Sequence, residues 1–100
     1  MEYAYVEVAG REGVLLSGRF TYEDSGKFHQ LLEDWDFAAK ATLNIDARYL
    51  TFLDSTAIGM LYLLATRCRD AGGYAVVTNA QANIVQTLKR ASLDQYLLLK

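Results

Sequence analysis

The sequence predicts an α/β fold: a mixed β-sheet of four to five strands with helices packed against it. The 100-residue chain is 52% hydrophobic and 22% charged, the balance of a soluble globular protein and not of a disordered or fibrous one. Alternating or β-branched runs take turns with longer runs of helical spacing, in the order β-β-α-β-α-β-α-β. Glycines at 10, 13, 72 and 73 punctuate those runs. With no proline, repeat or low-complexity linker, the length is that of one domain over residues 1–100.

Tyr3, Tyr5 or Val6, and Val8 alternate, Gly10-Arg11-Glu12-Gly13 turns, and Val14 to Phe20 returns, which predicts an antiparallel hairpin. Thr21-Tyr22-Glu23-Asp24 fits a capping box, and Phe28, Leu31, Leu32 and Trp35 then recur at helical spacing. Ser25 is a rival N-cap, and Gly26 weakens that helix by up to about 1 kcal/mol relative to alanine. Ala41 to Ala47 alternates as a strand, and Arg48 to Leu53 leads from it as a loop to Asp54-Ser55-Thr56, so that strand, loop, helix is the local order. The next helix runs to about Asp70 and stops at Gly72-Gly73. Tyr74 to Thr78 is a short strand, Asn79 opens a third helix carrying Ile84, Val85, Leu88 and Ala91, and Tyr96 to Leu99 is the last strand. Right-handed crossovers join the parallel strands.

Composition excludes several functions. A net charge of −2 and a pI near 5.2 provide no positive field for phosphate contacts, so nucleic acid is not an expected partner. The N-terminus alternates without a basic segment and an apolar run, so the expected location is the cytoplasm. Ala57 to Ala65 is about half the apolar length a membrane span requires, and no membrane insertion is expected. Cys68 and His29 are each single, which leaves no disulfide and no metal ligand set. Glu33, Asp34 and Asp36 lack the spacing of a cation-binding loop. Without a G-x-S-x-G elbow or a glycine-rich phosphate loop, the expectation is no enzyme, no catalytic residue and no cofactor.

The Asp54-Ser55-Thr56 knot is the informative feature. Any of the three can cap a helix, worth typically about 1 kcal/mol. If Asp54 caps, Ser55 is the first helical residue and a phosphate there is tolerated by the helix dipole. The helix that follows is apolar on every side from Ala57 to Ala65. At 100° per residue, Ile58, Leu61, Tyr62, Ala65 and Cys68 share the face expected to meet the sheet. Thr56, Met60, Leu63 and Arg67 point away, as a partner-binding surface would.

The run Leu43 to Leu61, L-N-I-D-A-R-Y-L-T-F-L-D-S-T-A-I-G-M-L, resembles the signature of the STAS domain family, named for sulfate transporters and anti-sigma-factor antagonists. Asp54, Ser55, Thr56, Ala57, Ile58 and Gly59 fill the places of its D-S-[ST]-[GA]-x-[GA] motif. The resemblance implies the STAS, anti-sigma factor antagonist-like fold and the family's partner switch. In that switch, the unphosphorylated protein binds a serine protein kinase that is also an anti-sigma factor. Phosphorylation of Ser55 ends the complex, and a PP2C-like phosphatase restores it. Asp54 and Thr56 then support the phosphosite, and Ala57, Gly59, Met60, Leu63, Arg67, Thr21 and Asn79 are the expected partner contacts. Gly18-Arg19-Phe20-Thr21 departs from the G-[ED]-[LI]-D of many stand-alone members, and Lys100 follows the last strand where many continue into a fourth helix. A flank left bare in this way leaves room for a homodimer. The alternative is a STAS subunit that is never phosphorylated and serves as a regulatory or structural component of an ABC transporter complex.

Overall fold

In the computed structural model the element order is β1 (Glu2–Val8), β2 (Arg11–Phe20), α1 (Ser25–Asp34), β3 (Leu43–Leu53), α2 (Ser55–Asp70), β4 (Ala75–Thr78), α3 (Ala82–Arg90) and β5 (Leu97–Leu99). Two 3-10 turns, Tyr22–Asp24 and Leu93–Gln95, precede α1 and β5. The structure describes residues 1–8 and 10–100, and of Val8 the backbone alone; the side chain with which Val8 continues the expected alternation lies outside the described residues.

The sheet has the strand order β1-β2-β3-β4-β5. The β1–β2 hairpin is antiparallel, and every later neighbour is parallel. Each parallel pair is joined through a helix, as crossover connections require. All three helices contribute to one core on one face. Val14, Leu16, Ile45 and Ala47 of the sheet meet Phe28 and Leu31 of α1, Leu61 and Leu64 of α2, and Ile84 and Leu88 of α3. Burying each large side chain of this kind contributes roughly 1.5–3 kcal/mol. The register turns Ser17, Asn44, Asp46, Thr78 and Leu98 to the other face, where none is fully buried.

The capping box forms as the sequence predicts. Thr21 Oγ1 accepts from the Glu23 N–H at 3.3 Å, and the Asp24 carboxylate accepts from the Thr21 N–H at 3.0 Å. It starts the 3-10 turn, and α1 follows at Ser25.

Three expectations are corrected. Trp35 is not in the first helix but just beyond it, extended and buried, with its indole N–H donating to the Lys40 carbonyl at 2.9 Å. Asn79 does not open the third helix: it sits at φ 60°, and α3 begins at Ala82 after Gln81. Arg48 to Leu53 is not a connecting loop, because β3 continues through it to Leu53.

Candidate functional site at the end of β3

β3 breaks its own alternation halfway. Leu43, Ile45 and Ala47 are buried at every second position, and then only Leu50 and Leu53 are. The register explains the change. Leu15 pairs with Asp46 but Ser17 with Tyr49, and Gly18 pairs with Leu50 but Arg19 with Phe52. Each step puts an extra β3 residue against β2, which is a β-bulge. A strand with period three is not readable as a strand from a period-two template, hence the expected loop.

β4 pairs with β3 only from Leu43 to Asp46. Beyond that point side chains from the β4–α3 segment take over. Gln81 Nε2 donates to the Arg48 carbonyl at 3.2 Å, and Asn83 Nδ2 donates to the Thr51 carbonyl at 3.1 Å. Asn79 Nδ2 donates to Asp46 Oδ1 at 3.3 Å, and the same oxygen accepts from the Arg48 N–H at 3.0 Å. The Gln81 and Asn83 bonds satisfy edge carbonyls that lack a neighbouring strand.

The braced strand delivers Asp54. Its N–H donates to the Phe20 carbonyl at 3.2 Å, and Asp54 is the N-cap of α2. Oδ1 accepts from the Ala57 N–H at 2.8 Å, while Oδ2 accepts from the Tyr22 N–H at 2.9 Å. One carboxylate thus caps two helical turns, satisfying an orphan donor of each. Ser55 is the first residue of α2 and is exposed, and Thr56 beside it is half-buried.

Farther along α2, Ala57, Leu61, Leu64, Ala65 and Cys68 form the buried stripe. Tyr62, expected inward, is 41% exposed and meets Tyr96 edge-on with centroids 4.9 Å apart. Ala57, expected as a partner contact, is fully buried. Met60 and Leu63 are half-buried and packed against the core, so they do not project outward as expected. The solvent stripe is Ser55, Gly59, Tyr62 and Arg69. A helix apolar along most of its length has little amphipathic asymmetry to fix its rotation, which is why the sequence places the buried stripe partly off its true position. Of the remaining expected contacts, Arg67 is exposed, Thr21 is half-buried in its capping box, and Asn79 is exposed with its amide on Asp46.

Next to Asp54 lies an open cleft of about 460 Å³, lined among others by Arg19, Tyr22, Glu23, Asp24 and Phe52. The Arg19 guanidinium sits 4.2 Å from the Phe52 ring centroid. Burial pushes the Asp24 carboxyl upward, but the Thr21 N–H and the N-terminal ammonium outweigh it and hold Asp24 below its usual value. The sequence analysis singled out none of Arg19, Tyr22 or Phe52 as contacts. The signal available in the sequence was the pair of aromatics, Tyr49 and Phe52, in the stretch leading into the Asp-Ser-Thr motif. At the neighbouring helix, burial pushes the Cys68 thiol up to about 11. Among the described residues, no helix is long and apolar enough to cross a membrane.

No curated protein sequence matches the chain. Among solved structures, a candidate anti-sigma factor antagonist (tm1081) from Thermotoga maritima is similar at TM-score 0.78 and 15% identity, over 97% of this chain and 84% of that one. The anti-sigma factor antagonist SpoIIAA, in its unphosphorylated form, is similar at TM-score 0.71 and 13% identity, over 99% of this chain and 88% of that one. At such identities the likeness is one of fold: the five-stranded mixed sheet with three helices is the STAS fold. The family model described as "Mlab, STAS domain" matches residues 5–100, and the chain therefore belongs to the STAS domain family.

Proposed function

We propose that this protein is a phosphorylation-controlled binding partner of a serine protein kinase that doubles as an anti-sigma factor. Unphosphorylated, it occupies the kinase and releases that protein's target. The kinase then moves the γ-phosphoryl group of ATP to Ser55 Oγ, ADP leaves, and the hydroxyl proton passes to the kinase. A PP2C-like phosphatase hydrolyses the ester and resets the switch.

The observation that carries this reading is the exposure of Ser55 on the first turn of a helix whose cap is the preceding residue. A hydroxyl there is reachable by an enzyme, and its phosphate lies where the helix dipole favours an anion. The added charge of about −1.5 to −2 takes the chain from −2 to roughly −4. Binding is lost because the phosphate must be desolvated at an interface that held a neutral hydroxyl. The contact surface on α2 is the stripe of Ser55, Gly59 and Tyr62, with Met60, Leu63 and Arg67 at its margin.

The test is incubation with ATP and the serine kinase encoded nearest the gene, followed by mapping of the modified residue by mass spectrometry. Phosphate on Ser55 supports the switch; an active kinase that leaves Ser55 unmodified overturns it. Arg19 stands where many members of the resembled stand-alone type carry an acidic residue, so a kinase contact made through that acid is not available here; the second reading is a regulatory subunit of an ABC transporter complex. Co-purification with a transporter ATPase, with Ser55 unmodified, would decide for that reading.

A further inference from the structure

The Asp54 carboxylate does more than cap α2. Its Oδ1 holds the Ala57 N–H and its Oδ2 holds the Tyr22 N–H, so the start of α2 and the turn before α1 share one acceptor group. Tyr22 is 66% exposed and lines the same cleft as Arg19, Phe52 and Asp54. The two bonds are charge-assisted and short, the strong kind for which geometry matters. We propose that Asp54 relays the phosphorylation state of Ser55 to the Tyr22 turn, so that the modification changes the shape of the binding surface and not only its charge.

The chemistry follows from competition for donors. A dianion on Ser55 sits one residue from the Asp54 carboxylate and at the same helix N-terminus. Both anions seek the amides of the first turn, and the phosphate carries more charge and more acceptor oxygens than the carboxylate. Like-charge repulsion drives the carboxylate away from Ala57, and because both oxygens belong to one planar group, that displacement also pulls the second oxygen out of line with the Tyr22 N–H. The Tyr22 N–H then turns to water, and the turn between β2 and α1 loosens. The remaining bonds of that turn do not reach α2: those from Glu23 to Thr21 Oγ1, from Thr21 to Asp24 and from Ser25 Oγ to the Tyr22 carbonyl stay within the turn and the start of α1, and the N-terminal ammonium on Asp24 ties it to the residue before β1.

The relay rests on Ser55 being the phosphoacceptor, and its test needs no kinase. The chain is made with phosphoserine installed at residue 55 during synthesis, and amide hydrogen exchange is followed by NMR. The Tyr22 amide should exchange at least about tenfold faster than in the unmodified chain, the equivalent of one charge-assisted hydrogen bond. The Val76 amide in the middle of β4 should keep its rate. Asp54→Asn retains an oxygen acceptor for Ala57 but turns an amide donor toward the Tyr22 N–H. In that variant the Tyr22 amide should exchange fast at the outset, and phosphoserine should add nothing. An unchanged Tyr22 amide in the phosphorylated chain overturns the relay, as does an acceleration of equal size at Val76. If Tyr22 responds but no kinase modifies Ser55, the coupling through Asp54 stands as a property of the fold and the switch reading falls; if a kinase modifies Ser55 and Tyr22 is unmoved, the switch reading stands and the relay falls.

Discussion

The two halves of β3 are built differently although they are one strand. From Leu43 to Ala47 the strand alternates regularly and buries every second side chain completely, and from Asn44 to Asp46 it pairs with β2 on one side and β4 on the other. Gly13 shows how tight this half is: a Cβ there would lie 2.2 Å from the Asn44 carbonyl oxygen, so only glycine fits the approach. From Arg48 to Leu53 the strand is bulged, loses β4, exposes Tyr49 and Phe52, and is tied down by Gln81 and Asn83. The first half holds the domain together, and the second aims Asp54 and Ser55. The bulges trade regular pairing for a defined direction at the strand's exit.

The largest expected effect lies in the paired half. Ile45→Ala removes a fully buried side chain from the centre of the core and should cost about 2–5 kcal/mol, read from urea unfolding. A loss below about 1 kcal/mol would mean that this half is not the stabilising one.

The same half carries a pH signature. Cys68 is buried beside Leu43, and its thiol is pushed up from 9.0 to about 11. Because the folded value is the higher one, the stabilisation is intact below pH 9.0 and declines as pH rises to about 11. The total loss over that window is on the order of 3 kcal/mol. Cys68→Ala should flatten this part of the stability profile, measured by thermal unfolding across that range; an unaltered slope would take the loss away from Cys68.

At the exit of the strand, binding and stability should separate. Ser55→Asp places a charge on an exposed first-turn position and should leave unfolding within about 0.5 kcal/mol of the parent. Kinase affinity, measured by calorimetry, should fall at least about tenfold, or 1.4 kcal/mol. Gly59→Glu makes the contrast sharper. A Cβ at Gly59 meets nothing within 4 Å, and replacing glycine inside a helix should gain roughly 0.5 kcal/mol of stability while binding weakens. Met60→Glu, on a half-buried position packed against the core, should lose stability instead. Equal binding losses at both positions with no stability cost would restore Met60 as an outward contact.

This contrast also separates what was legible in the sequence from what was not. The eight-element order and the Asp54 cap follow from local chemistry: alternation, helical spacing, and an acceptor before an apolar run. The bulged half was read as a loop because alternation fails there, and bulges are a property of the β2–β3 register, which no single segment encodes. The rotation of α2 was misjudged because Ala57 to Ala65 offers no polar side to exclude. The second bond of Asp54, to Tyr22, joins residues 32 apart and has no local signature.

The smallest expected effect tests whether the bulged half needs its braces. Gln81 and Asn83 are exposed, and each donates one neutral hydrogen bond to a β3 carbonyl that water can reach once the amide is gone. Gln81→Ala and Asn83→Ala should therefore cost only about 0.5–1 kcal/mol each in global stability. Their effect on the strand's second half should be larger in proportion, because the bonds replace a missing neighbour strand there. In hydrogen exchange, the amides from Tyr49 to Phe52 should lose protection in the double variant while those from Leu43 to Ile45 keep theirs. Loss confined to the second half would show that the two halves open as separate units, with the strand end that carries Ser55 as the more labile one. Uniform loss would show a single cooperative strand, and the aiming of Ser55 would then rest on the Asp54 carboxylate alone.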